Sequence, residues 1–270
     1  MAASLDDKYL LEQGRVFLSG TQALVRVLLD QRRRDQRSGL RTAAFVSGYR
    51  GSPLGGLDLA LWHSSRLLSD HDVRFEPGLN EELAAAAVAG SQQSGIVGSS
   101  RYDGVFGLWY GKNPGLDRAG DAIKHANAAG TSSHGGVLAV SGDDPGASSS
   151  SMPNQCDPAF ISASMPVLAP ASVSELLELG LVGIALSRYC GLWVGFKAVA
   201  DVVESSASIE LASDQPRIVL PKDFEAPPGG LGIRWPDSRW DQDRRLLEQR
   251  LPAARAFARS NRLDRVVFGT

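Results

Sequence analysis

The 270 residues are 43% hydrophobic and 21% charged, the composition of a folded chain long enough for one generous domain or two small ones. A formal net charge of −2 and an isoelectric point near 6.1 leave no field that would gather nucleic acid or an anionic membrane. Cys156 and Cys190 stand far apart with no CxxC spacing, so neither an iron–sulfur cluster nor a zinc site is written into the chain, and a reducing cytoplasm fits this usage. Met1 to Lys8 lacks the apolar core of a signal peptide, and the most apolar later run, residues 176–186, is short and contains Glu178. The expectation is a chain that neither spans nor anchors to a membrane.

Residues 20–34 read as a helix, with Ala23, Leu24, Val27, Leu28 and Leu29 on one face. The arginines Arg32, Arg33, Arg34 and Arg37 read as its solvated C-terminal end, where cations suit the helix dipole. Residues 42–47 form a short buried strand, followed by Gly48-Tyr49-Arg50-Gly51-Ser52-Pro53-Leu54-Gly55-Gly56 and a helix over 57–68. In an open parallel sheet, ligands bind beyond the carboxyl ends of strands and glycines let backbone approach them. This loop is therefore either a ligand wall or a plain strand-to-helix connection; it matches neither a Walker loop nor GxGxxG.

A minimal strand over 73–75 leads through Pro77-Gly78 to Asn80, an N-cap, with Glu81 and Glu82 in the first turn of a helix whose body is alanine. Acids in a first turn can simply complement the helix dipole, worth about 0.3–1 kcal/mol at a surface. The alanine run offers no polar face and points instead to a helix packed on both sides, with a carboxylate aimed at something.

The same unit then repeats. Residues 104–110 are strand-like, Gly111-Lys112-Asn113-Pro114-Gly115 is a loop, and 119–129 are helical. A buried strand over 136–140 ends in a loop over 141–151, and a strand at 167–168, a helix over 173–188 and a strand over 191–196 complete the alternation. Strands alternating with helices imply an α/β fold, a mostly parallel sheet with helices on both faces. Residues 209–220 hold a last strand or two, 221–236 form a linker rich in proline and glycine, and 237–261 form a charged helix interrupted at Pro252. The strand-like ending over 266–270 implies a following domain, missing here or carried by another chain. Of the four histidines, His125 and His134 lie near strand ends without a ligand cluster, and His63 and His71 belong to a surface helix or its edge.

Several of these stretches occur together, in this order, in one family. Gly48-Tyr49-Arg50-Gly51-Ser52-Pro53, Asn80-Glu81-Glu82, Tyr102 to Gly115, Lys124-His125-Ala126-Asn127, Gly142-Asp143-Asp144-Pro145-Gly146 and Asp201 to Ser208 resemble the 2-oxoacid:ferredoxin oxidoreductases, most closely the long single-chain indolepyruvate ferredoxin oxidoreductases. The resemblance runs from about Leu10 to the end.

It implies that residues 1–208 are the pyrimidine-binding domain of a thiamine diphosphate enzyme, that 209–236 link it onward, and that 237–270 lead to a missing domain. It implies that Glu81 hydrogen-bonds the aminopyrimidine ring of the cofactor. Such a carboxyl, best partly withdrawn from water, favours the imino tautomer and readies the cofactor to lose its own C2 proton. Glu81 rather than Glu82 is favoured because the family motif puts the asparagine directly before the working acid; the local sequence alone does not separate the two. Gly51, Ser52 and Pro53 would face cofactor and 2-oxoacid. Arg50, where related enzymes have proline, would clamp the substrate carboxylate or stand as a surface arginine. Lys112 and Asn113 would contact substrate or form a solvent-facing turn.

Magnesium and iron–sulfur clusters belong, on the same resemblance, to other domains or a partner chain, because the Gly-Asp-Gly…Asn signature of the diphosphate site is not found here; Asp143 and Asp144 would shape a turn and an inter-domain contact. The whole enzyme would decarboxylate indolepyruvate or a similar aryl 2-oxoacid, pass the acyl group to coenzyme A and the electrons to ferredoxin, and form a homo-oligomer. This chain alone would be inactive. The rival readings are a non-catalytic α/β assembly or binding module and a different thiamine diphosphate-dependent decarboxylase.

Overall fold

The computed structural model describes residues 4–96, 98–148 and 150–266. The strands are β1 (Gly14–Ser19), β2 (Thr42–Gly48), β3 (Val73–Phe75), β4 (Gly104–Lys112), β5 (Val137–Asp143), β6 (Val167–Leu168), β7 (Trp193–Val199) and β8 (Ser206–Leu211). Six of them pair in parallel in the order β3-β2-β4-β5-β7-β6, while β1 and β8 form a separate antiparallel ribbon. The expected α/β class is the one observed.

The sheet is buried on both faces. Along β4, Phe106, Leu108 and Tyr110 point into one layer and Trp109 into the other, the two-residue period of a strand. The first layer holds the helices Gly20–Arg37, Gly55–His63, Val173–Cys190 and Leu251–Ser260, through residues such as Leu28, Leu57, Ile184 and Phe257. The second holds Glu81–Ser91, Gly120–Ala129 and Asp157–Ser162, through Ala84, Val88, Ile123 and Phe160, closed by Trp109 and Trp193.

This layering sets where a site can form. From β2 the chain passes to a first-layer helix and on to β3 at the edge; from β4 it passes to second-layer helices and on to β5 on the opposite side. The loops leaving β2 and β4 therefore part company, and a crevice opens between the carboxyl ends of these adjacent strands, the topological switch point of an open α/β sheet.

Several elements differ from the sequence reading, each for a physical reason. β4 continues through Gly111 and Lys112, and Asn113–Arg118 is helical; Pro114 lies in the first helical turn, where a missing N–H costs nothing. β5 likewise continues through Ser141, Gly142 and Asp143, all buried. The Glu81–Ser91 helix packs on one side only: Ala84, Ala85 and Val88 are buried, whereas Leu83, Ala86, Ala87 and Gly90 face outward. Alanine's small methyl makes exposure inexpensive, so an alanine run does not demand two covered faces.

The arginine cluster is not a solvated helix end. Arg32 and Arg33 are buried, Arg32 donating to the His71 carbonyl and the Thr42 hydroxyl and pairing with Asp72, and Arg33 donating to the Tyr9 carbonyl and pairing with Asp30. Arg34 donates to the carbonyls of Gln215 and Pro216, and only Arg37 is exposed. Five guanidinium donors let arginine satisfy loop carbonyls that a helix surface would leave to water. The charged C-terminal helix runs through Pro252, because a π turn over Leu246–Arg250 precedes it and relieves the ladder where proline has no N–H. It packs on the Val173–Cys190 helix, with the Phe257 and Tyr189 rings 5.6 Å apart. Residues 267–270 of the strand-like ending lie outside the described residues.

Candidate functional site

Glu81 stands at the switch-point crevice. Asn80 caps the helix, its side-chain oxygen accepting from the Leu83 N–H at 2.8 Å, and the Trp109 indole N–H donates to the Glu81 carbonyl at 2.9 Å. These bonds fix the first helical turn against β4. The Glu81 side chain then extends along the turn that leaves β4, its Oε1 against Gly115. Glu81 is only 8% exposed, yet its carboxylate has no hydrogen bond or ion pair among the described residues; Glu82, one position on, faces solvent. The Glu81 carboxylate oxygens, unlike Asn113 Nδ2, are not sealed from solvent; they open onto a cleft, where they are free to bond a ligand.

The crevice is an open cleft of about 330 Å³ lined by Tyr49, Leu79, Asn80, Glu81, Lys112, Pro114, Gly115 and Arg118. Tyr49 and Lys112 come from the diverging ends of β2 and β4, and Glu81 from the helix after β3. Lys112 and Arg118 put two cations around the one acid. Leu79, Leu83 and Tyr49 leave apolar surface exposed around it.

Of the other residues singled out in the sequence, Gly51 packs against the Lys112 side chain and Pro53 lies buried against Gly142 of β5, so beyond Tyr49 the loop after β2 backs the cleft without lining it. Ser52 is half-buried in the same turn. Arg50 is exposed, outside the lining, and makes no hydrogen bond or ion pair among the described residues. Asn113 is buried beside the cleft rather than in it, and its Nδ2 has no partner. Arg118 was missed: it lies one turn beyond Pro114, on the same face, but a Pro-Gly pair read as a loop hides that helical spacing.

A second polar group follows along the same edge of the sheet. Asp143, at the end of β5, accepts from the Cys156 N–H at 3.1 Å and pairs with Lys197 of β7 at 3.4 Å; Lys197 also binds Asp157 at 2.5 Å. Asp143, Cys156 and Asp157 are the one trio of metal-ligand types that converge among the described residues. Lys197 already supplies the cation there. Burial opposes its charge, but the bond to Asp157 and the fields of Asp143 and Asp157 outweigh that and hold the ammonium above its ordinary pKa. Burial, and then Asp143, push the Cys156 thiol up, away from the thiolate a metal would need. His125 and His134 are exposed and join no such group.

A separate cavity of about 200 Å³ lies between the Gly20–Arg37 and Val173–Cys190 helices and β8. Of its arginines, Arg26 and Arg33 pair with Asp30 and Arg37 with Glu12, while Arg34 is bonded to the Gln215 and Pro216 carbonyls.

No family model matches the sequence, and no curated protein matches it. Among solved structures, a chain of the 2-oxoglutarate:ferredoxin oxidoreductase from Magnetococcus marinus, with 2-oxoglutarate, coenzyme A and succinyl-CoA bound, is similar at a TM-score of 0.59 and 14% identity over 84% of this chain. The likeness is one of fold. The chain spans 38% of the length of that neighbour. Among the described residues no helix is long and apolar enough to cross a membrane.

Proposed function

We propose that this chain is the pyrimidine-binding part of a thiamine diphosphate-dependent 2-oxoacid:ferredoxin oxidoreductase acting on indolepyruvate or a similar aryl 2-oxoacid, with Glu81 as the acid that holds the cofactor ring. One observation carries it: a largely buried glutamate whose carboxylate, unbonded among the described residues, opens into a cleft at the switch point of a sheet whose fold is shared with an enzyme of that kind. The residues fit an aminopyrimidine, which needs a carboxyl on one ring nitrogen and a cleft a few hundred Å³ in size.

When bound, thiamine diphosphate would supply the carbon nucleophile for the keto carbon of the 2-oxoacid. Glu81 keeps a proton between its carboxyl and the ring nitrogen and orients the ring. Trp109 and Asn80 hold its backbone, and Lys112 and Arg118 offer cations to an anionic substrate. On this reading Gly51, Ser52 and Pro53 back the cofactor side and Lys112 lines the substrate side, with Arg50, Ser52 and Asn113 placed around it rather than in the lining. A diphosphate-binding domain or subunit brings magnesium, iron–sulfur clusters, coenzyme A binding and the path to ferredoxin, so the chain alone is inactive and works in a homo-oligomeric, cytoplasmic assembly.

The test is Glu81→Gln in the enzyme purified through a tag on this chain. Turnover with indolepyruvate, coenzyme A and ferredoxin is expected to fall about 10²- to 10⁴-fold. Undiminished turnover would overturn the reading and favour a module that keeps the fold without the chemistry.

A further inference from the structure

We infer that Gly115 is a positioning residue, present to set where the Glu81 carboxylate stands; the inference rests on the reading of Glu81 as the cofactor acid. Gly115 is the third residue of the Asn113–Arg118 helix, and its φ lies outside the left-handed region, so nothing in the backbone calls for glycine. At such a position helix propensity favours alanine. The reason for glycine lies across the turn. A Cβ at Gly115 would come within 2.4 Å of Glu81 Oε1, 2.6 Å of Cγ and 2.7 Å of Cδ, distances at which one side must move.

What moves is decided by stiffness. The Glu81 carboxylate ends a chain of freely rotating bonds, so alanine at 115 swings the acid aside and leaves the fold in place. Gly111, near the end of β4, makes the contrast: a Cβ there would meet the Trp109 ring at 2.9 Å and Glu81 Cγ at 3.3 Å. Its obstacle is a fully buried indole that also bonds the Glu81 carbonyl, so a side chain at Gly111 strains the core. Gly115 is the position where the acid can be displaced without disturbing its support.

The experiment is a double-mutant cycle with a structural arm. A crystal structure of the Gly115→Ala chain is expected to show the Glu81 carboxylate shifted by about 1 Å or more, with no loss of melting temperature. In the purified enzyme the same change is expected to lower kcat about 100-fold with KM nearly constant, the penalty for a misplaced reacting group. In a Glu81→Ala background it should cost nothing further, because Gly115 acts through that side chain. An unmoved carboxylate, or an equal loss of turnover in the Glu81→Ala background, overturns the inference. If instead the carboxylate moves but Glu81→Ala leaves turnover intact, the positioning role of Gly115 stands and the cofactor reading falls.

Discussion

Asp35 gives the sharpest test of how this fold is held. It is 3% exposed and accepts both terminal nitrogens of Arg188 at 2.6 and 2.8 Å, the Thr42 hydroxyl at 2.6 Å and the Gln31 amide at 2.8 Å. Burial opposes its charge, but the Arg188 bonds, with those from Thr42 and Gln31, outweigh it and hold the carboxyl below its ordinary range. Asp35→Asn keeps the shape and removes the charge, leaving the largely buried Arg188 guanidinium without its anion. Breaking one side of a buried pair in this way costs about 3–5 kcal/mol. Urea denaturation at pH 7, followed by far-ultraviolet circular dichroism, should show the midpoint falling with an unchanged slope. A loss under about 1 kcal/mol would show that solvent or other groups replace the pair, and would refute the reasoning. The pH dependence has a definite sign. A carboxyl depressed by folding stabilises above its unfolded pKa, about 3.9, and that contribution is lost as pH falls through the lower folded value. The wild-type chain should therefore lose a component of stability below about pH 4 that the Asp35→Asn variant lacks.

Two further substitutions separate the parts of the site edge. Asn80→Ala should cost about 1 kcal/mol through loss of the bond to the Leu83 N–H, read as a lower thermal midpoint, and should lower turnover of the purified enzyme because Glu81 loses its fixed turn. Lys197→Met should cost about 3 kcal/mol by leaving Asp143 buried without its cation, and adding Asp143→Asn should restore part of that stability in the same denaturation assay.

Parallel strands covered on both faces read as near-continuous apolar runs, so the Val137–Val140 stretch and its counterparts showed the sheet without any knowledge of pairing. Asn80 was legible as a cap because capping is local. What stayed hidden depends on distant partners. β1 pairs with β8, whose residues lie at the far end of the chain, and nothing in Gly14–Ser19 announces that register. Arg32 and Arg33 looked solvated because the carbonyl and hydroxyl groups that receive them come from other segments. At the cleft, the place of Glu81 in a first helical turn was legible and its surroundings were not: of the loop after β2 only Tyr49 lines the cleft, the glycines that drew attention standing behind it, and Arg118, which also lines it, carried no signal beyond ordinary spacing.

Asp35 and Glu81 show charge handled in two ways. At the amino-terminal edge, Asp35 with Arg188 and Arg32 with Asp72 are paired and bonded, and Arg250 is sunk among the carbonyls of Ala128, Ala129 and Leu231. Burial, and then neighbouring Arg245, push its pKa down to about 10, still leaving it charged at neutral pH. At the carboxyl-terminal edge stand Glu81 without a partner, and Asn113 Nδ2, Ser141 Oγ and Asp143 Oδ1 buried and unbonded. Leaving polar groups unmet costs stability wherever it occurs. Unbonded buried atoms also occur toward the amino-terminal edge, at Ser132 Oγ, Trp193 Nε1 and Arg245 Nε, so the contrast lies between Asp35, bonded at both oxygens, and Glu81, which opens on the cleft where the strand order reverses. That contrast separates the tests above: changes at Asp35 should appear in stability, and changes at Glu81 and Gly115 in turnover.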